Sequence, residues 1–241
     1  MLKALFGGKA KRTGAVARSL AMAHQSEASM ADLPAKLQTL LREQPKFHAI
    51  YIDAELVKAN CCNWAIEQPI LAWIAKNVKP GFTTLETGCG YSSVAFAIAG
   101  ANHTVLSPIA AEHDAIQHWC KTHNINLAQT EFLAQASQDV LHSLPQTPLD
   151  VVLVDGNHAF PTPFIDWYYT AERVKEGGRM MIDDTQIITG KILRDFLASE
   201  EGRWSLETEL GKTAIFRRIT SESVTRGFWF GQQPYCKDLL D

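Results

Sequence analysis

The sequence predicts an α/β fold: a doubly wound, mostly parallel sheet of seven strands, with a C-terminal antiparallel hairpin and capping helices at the N-terminal side. Three observations carry that expectation. From residue 80 onward, short apolar runs alternate with longer amphipathic stretches. Glycine or proline marks most of the junctions, as at Pro80-Gly81, Gly100, Pro108 and Gly177-Gly178. Strands joined by helix-length segments require right-handed crossovers, and hence parallel neighbours.

The elements follow in order. "FTTLE" (82–86) lies between Pro80-Gly81 and a glycine turn and reads as a buried strand. "SSVAFAIAG" is then a helix ending at Gly100, and "HTVLS" (103–107) a second strand closed by Pro108. "AAEHDAIQHWCKTHNI" places Ala115, Ile116, Trp119 and Cys120 at helical spacing. "TEFLA" (130–134) is the third strand, and "SQDVLHSL" a short helix with Ser137 expected as its N-cap. "LDVVLVD" (149–155) is the fourth strand, "FIDWYYTAERVK" a helix ended by Gly177-Gly178, and "RMMIDD" (179–184) the fifth strand. After the helix "TGKILRDFLASE", "RWSLETEL" and "KTAIFRRI" flank Leu210-Gly211 as a hairpin. Upstream, "ADLPAKLQTLLREQ" and "CNWAIEQPILAWIAKNV" read as capping helices. The resulting plan is a flexible basic arm over 1–30, cap helices over 31–79, a core over 80–220 and an aromatic tail over 221–241.

Composition narrows the function classes. A net charge of −3 gives no electrostatic case for a nucleic-acid partner, and no apolar run approaches a membrane span. Five cysteines, Cys61, Cys62, Cys89, Cys120 and Cys236, form no CxxC pair, so reduced thiols and a cytoplasmic location are expected. The first nineteen residues carry five basic side chains and no acidic ones, which reads as a solvated arm. The tail "GFWFGQQPYC" is a candidate lid over the site or a homodimer contact.

In parallel sheets, chemistry gathers at the carboxyl ends of the strands. Those ends carry Glu86, Ser107, Asp155, Asp183 and Asp184. After the first strand comes Gly88-Cys89-Gly90-Tyr91-Ser92-Ser93, where two glycines let the backbone turn tightly at the amino end of a helix. A dinucleotide fingerprint would add an acid at the end of the second strand, and Ser107 stands there instead. The glycine pattern alone therefore leaves the ligand open, and a nicotinamide oxidoreductase or a non-catalytic nucleotide-binding protein stays in play.

"LETGCGYSSV", "ASQDVL", "VVLVDGNH", "EGGRMMIDD" and "LGKTAIFRR" occur in an order and spacing that resembles class I S-adenosylmethionine (SAM) methyltransferases. More narrowly, over residues 60–218, the chain is similar to the catechol O-methyltransferase-like, cation-dependent group and to bacterial methyltransferase-like proteins with a DGxH…DD pattern. The resemblance implies a Rossmann-like core that transfers a methyl group from SAM to a hydroxyl oxygen of a small molecule. It implies that Glu86, Gly88, Cys89, Gly90, Tyr91 and Ser92 surround the methionine end of the cofactor, with Asp155 nearby. Ser137 and Gln138 would meet the adenine. The acid that holds the ribose in that family is replaced by Ser107, which would bond one hydroxyl itself, or Glu112 would reach back from the next helix.

Asp155, Asp183 and Asp184 end two strands expected to be neighbours, and like charges so close need a cation or a shared proton. In the family the corresponding positions hold a divalent metal, so Mg²⁺ is expected on Asp155, Asp183 and Asp184, the last in place of an amide. His158, three residues after Asp155, takes the place of a family lysine as the expected general base; an imidazole suits proton removal near neutral pH. A metal-free site in which His158 works alone is the alternative. His48, His103, His113, His118, His123 and His142 have no comparable placement and read as structural or solvated. Trp167, Tyr168 and Tyr169 read as mostly core, whereas Trp64, Phe160 and Phe164 are the candidate substrate wall.

Overall fold

The structure, a computed structural model, describes residues 30–48 and 64–225. Residues 1–29 of the expected basic arm, Cys61, Cys62, Cys236 and the aromatic run "GFWFGQQPYC" lie outside the described residues. The helices are α1 (Ala35–Glu43), α2 (Gln68–Asn77), α3 (Tyr91–Ile98), α4 (Ala110–Thr122), α5 (Ser137–Val140), α6 (Thr162–Ala171) and α7 (Ile188–Ser199). The strands are β1 (Thr83–Thr87), β2 (Asn102–Leu106), β3 (Thr130–Leu133), β4 (Leu149–Val154), β5 (Val174–Ile182), β6 (Trp204–Leu210) and β7 (Thr213–Arg218).

The seven strands form one sheet in the order β3-β2-β1-β4-β5-β7-β6. β1 pairs in parallel with both β2 and β4, so the chain winds outward in two directions from this central pair. Such a reversal opens a crevice at the carboxyl ends of the two strands. β7 inserts antiparallel between β5 and β6, which makes the expected hairpin.

Alternation along the strands builds a core on each face. Val151 and Leu153 join Met181 and Ile215 beneath α1–α4, while Val152 and Val154 join Met180 and Ile182 beneath α6 and α7. Each such fully buried aliphatic side chain contributes about 1.5–3 kcal/mol. Burial on both faces is why these strands read as continuous apolar runs.

Three expectations about local structure are corrected. The helix expected from Cys62 begins at Gln68; Glu67 is extended and Pro69 sits in the first turn, where its missing N–H costs nothing. Val174 and Lys175 belong to β5 rather than to the preceding helix. Leu149 pairs with Val174 but Val151 with Arg179, so the residues between them bulge out, with Gly177 in the left-handed region. Ser137 is the first residue of α5; Ala136 is the N-cap and makes no side-chain cap.

Candidate active site

Gly88, Cys89 and Gly90 connect β1 to α3. Gly88 has φ +91, and a Cβ there would lie 2.1 Å from the Asp155 carbonyl oxygen. The β1–α3 turn and the β4 loop are therefore in direct backbone contact. Glu86 is fully buried; its Oε1 accepts the Ser93 hydroxyl and faces His103 Nε2 at 3.2 Å, while Oε2 has no partner among the described residues. Ser93 in turn accepts the Gly90 N–H at 3.0 Å. Ser92 is buried beside it. The Tyr91 hydroxyl donates to the Pro45 carbonyl at 3.2 Å.

Glu112, buried in the first turn of α4, reaches back to this turn. Its Oε2 accepts the Ser107 hydroxyl at 3.0 Å and the Cys89 thiol at 3.3 Å, and its Oε1 lies 2.7 Å from His48 Nδ1. Burial alone would raise the Glu112 carboxyl, but the bonds from His48, Cys89 and Ser107 outweigh it and hold the group low. Burial and the nearby Glu112 and Glu86 push the Cys89 thiol up, so it stays protonated. His48 also lies over Gly90, 3.3 Å from where a Cβ would stand, with Trp64 beside it at a ring distance of 6.0 Å. The reading of His48 as structural or solvated missed this placement, because 64 residues separate it from Glu112.

At the next strand ends, β4 and β5 pair in parallel and bring the aspartates together. His158 Nε2 lies 3.0 Å from Asp184 Oδ2 and 3.8 Å from Asp155 Oδ1. The His158 carbonyl accepts the Thr189 hydroxyl at 2.5 Å, which ties its loop to α7. Asp184 also pairs with Lys212 Nζ at 2.6 Å and accepts the Gln186 amide at 2.8 Å. The His158 bond first, then Lys212 and Gln186, hold the Asp184 carboxyl well below the usual range. Burial, then the charges of Asp183 and Asp184, drive Asp155 the opposite way. The two neighbouring carboxyls are thus pushed in opposite directions by their surroundings.

The expected magnesium set meets this geometry poorly. Asp155, His158 and Asp184 each bring one ligand atom within 4.8 Å of the others, but Asp183 is 2% exposed and accepts the Thr213 hydroxyl. Magnesium prefers six oxygens. Here one donor is an imidazole nitrogen, and a lysine ammonium already contacts Asp184.

Asp166, on α6, was not foreseen. It is fully buried, and neither carboxylate oxygen makes a well-formed hydrogen bond. Burial pushes its carboxyl up to about 6, against the pull of the nearby Ser137 and Thr87 hydroxyls. Ser137 is buried here, whereas Gln138 is exposed. Among the aromatics, Trp167 is buried as expected, but Tyr168 and Tyr169 are exposed, contrary to the core reading. Trp64 and Phe160 are exposed, and Phe160 packs against Phe164 at a ring distance of 6.1 Å.

A family model described as "Methyltransferase domain" matches residues 85–185, the span from β1 to the residue after Asp184. Solved structures agree in architecture. SAH-bound PaMTH1, a methyltransferase of Podospora anserina, aligns with a TM-score of 0.58 at 14% identity over 91% of this chain and 100% of its own. The fold is that of the class I methyltransferases. The O-methyltransferase TomG of Streptomyces achromogenes, in complex with SAM, aligns with a TM-score of 0.57 at 13% identity over 85% and 96%. A Clostridium thermocellum protein described as an rRNA-methylase aligns at 0.52 and 11% over 66% and 99%. No curated protein matches this sequence. Since an rRNA-methylase shares the methyltransferase fold, the fold by itself does not exclude a nucleic-acid substrate. No helix among the described residues is long and apolar enough to cross a membrane.

Proposed function

We propose that the protein is a SAM-dependent methyltransferase that methylates a hydroxyl oxygen of a small molecule, with His158 as the base. The observation that carries the reading is the His158–Asp184 pair, at the strand end whose backbone abuts the cofactor turn. An imidazole whose Nε2–H is directed at a carboxylate presents Nδ1 as its proton acceptor. The bound cofactor supplies an electrophilic methyl on its sulfonium. His158 would take the hydroxyl proton as the oxygen–carbon bond forms and the carbon–sulfur bond breaks.

The cofactor reading draws support from the turn itself. The buried, unpartnered Glu86 Oε2 is an acceptor that the cofactor's ammonium would satisfy. Gly88, Cys89, Gly90 and Ser92 would line the methionine end, and Ser137 with Gln138 the adenine. Glu112, held ionised with Ser107 against it, is the acid suited to the ribose hydroxyls that Ser107 alone would serve poorly. An edge lined by Asp155, Asp183 and Asp184 favours a small acceptor over a polyphosphate backbone.

Titration calorimetry with SAM, S-adenosylhomocysteine and NAD⁺ tests the cofactor. Binding of the first two is expected, with affinity falling at least about tenfold in Glu112→Ala, the scale of one lost charged hydrogen bond. Binding of NAD⁺ in their place would refute the assignment. Release of S-adenosylhomocysteine across a panel of hydroxylated compounds tests the transfer.

A further inference from the structure

We infer that Lys212 is the resident cation of the aspartate cluster, its ammonium standing where a divalent ion would bind, so that the site is complete without a metal. The inference rests on the proposed function for the meaning of the site, but its test does not depend on methyl transfer.

Lys212 follows Gly211 in the β6–β7 turn, and three contacts fix its backbone. The Thr185 N–H and hydroxyl both donate to the Lys212 carbonyl, at 2.9 and 2.8 Å. The Lys212 N–H points at Glu67 Oε2 at 3.4 Å. Gly211 is in the left-handed region with φ +57, and a Cβ on it would fall 1.5 Å from Glu67 Oε2. Glu67, just before α2, thus closes over the turn in space that only glycine leaves open. The clamp partner Thr185 adjoins Asp184, whose carboxylate receives the Lys212 ammonium at 2.6 Å. The side chain is only 22% exposed. Asp184 is the carboxylate the ammonium touches, and the parallel pairing of β4 with β5 sets Asp155 and Asp183 at the same strand ends.

Charge arithmetic favours this occupant. A divalent ion at Asp184 would sit within contact distance of a fixed positive charge, a repulsion of about 4 kcal/mol per pair of unit charges at 4 Å in a partly buried setting. Asp183, which a metal would need, has its Oδ1 engaged by Thr213. A lysine ammonium neutralises carboxylates but cannot chelate two substrate oxygens as an octahedral ion does. The acceptor therefore needs one hydroxyl rather than a vicinal pair.

Mn²⁺ alone is the probe, followed by calorimetry and by thermal melting. Wild type is expected to show no saturable Mn²⁺ binding at millimolar concentration and no change in melting with Mn²⁺ or EDTA. Lys212→Met is expected to melt lower, to bind Mn²⁺ at least about tenfold more tightly than wild type and to regain melting temperature when it does. Adding Asp184→Asn to it should abolish that binding. SAM affinity should stay unchanged in both variants. Saturable Mn²⁺ binding by wild type would overturn the inference even if the variant failed to fold, and so would a folded Lys212→Met that ignores Mn²⁺. A failure to bind SAM would instead count against the methyltransferase reading and leave the Mn²⁺ result standing.

Discussion

Asp166 carries a cost that the fold accepts beside Ser137 and Thr87. Its carboxyl is raised to about 6 from an ordinary 3.8, so the folded state holds the proton more tightly than the unfolded chain. That contribution is fully present below about pH 4 and is lost as pH rises through about 6. Asp166→Asn, which keeps the shape without the charge, should be more stable than wild type in chemical denaturation above about pH 7, by roughly 1–3 kcal/mol, and match it near pH 4. A variant less stable than wild type only above about pH 7 would mean that the ionised form is wanted. For His158, replacement by Gln is expected to lower kcat by about 10²–10⁴-fold while SAM affinity stays within about twofold. A comparable loss of SAM binding would make it a structural residue. Asp155, Asp183 and Asp184 could be read from the sequence because carboxylates at the ends of apolar runs are conspicuous. His48, Asp166 and Lys212 could not, since their partners lie far away in the chain: Glu112, the Ser137–Thr87 pair, and Asp184.

Elements were legible where one period dominated. β4 reads as a strand because it is buried on both faces, and the β6–β7 hairpin because a glycine turn splits two alternating runs. The β5 bulge was not legible, since a Gly-Gly pair after a helix looks the same whether it ends that helix or kinks the next strand. The start of α2 depended on Glu67, whose extended backbone caps the helix through its carbonyl while its carboxylate reaches Lys212. The contact between the β1–α3 turn and the β4 loop yields its own prediction. Gly88→Ala must accommodate both a strained φ and a clash with the Asp155 carbonyl, which should cost more than about 2 kcal/mol in chemical denaturation. Ala97, buried on α3 but away from this contact, should tolerate Gly at roughly 1 kcal/mol. Equal losses in the two variants would remove the close contact from the account.

At the scale of the whole molecule, the net charge of −3 and the acidic strand-end edge argue against a long polyanionic substrate. Fluorescence anisotropy with structured and single-stranded RNA at physiological salt is expected to detect no binding; affinity that weakens steeply with added salt would revive the rRNA-type reading. The clasp at the end of β7 has a further consequence. Arg218, almost fully buried, donates to the carbonyls of Ala171, Glu172, Val174, Thr220 and Glu222, and the Glu172 carboxylate gathers the Ser223 hydroxyl together with the Val224 and Thr225 N–H groups. β7 begins at Thr213, against Asp183, and ends at this clasp, so the two lie a strand's length of about 20 Å apart. A chain leaving Thr225 starts from the end of β7 opposite the Asp155, Asp183 and Asp184 carboxyls. It would spend about six extended residues merely returning to their level. A label placed at Thr225 itself would therefore start a strand's length from Asp183.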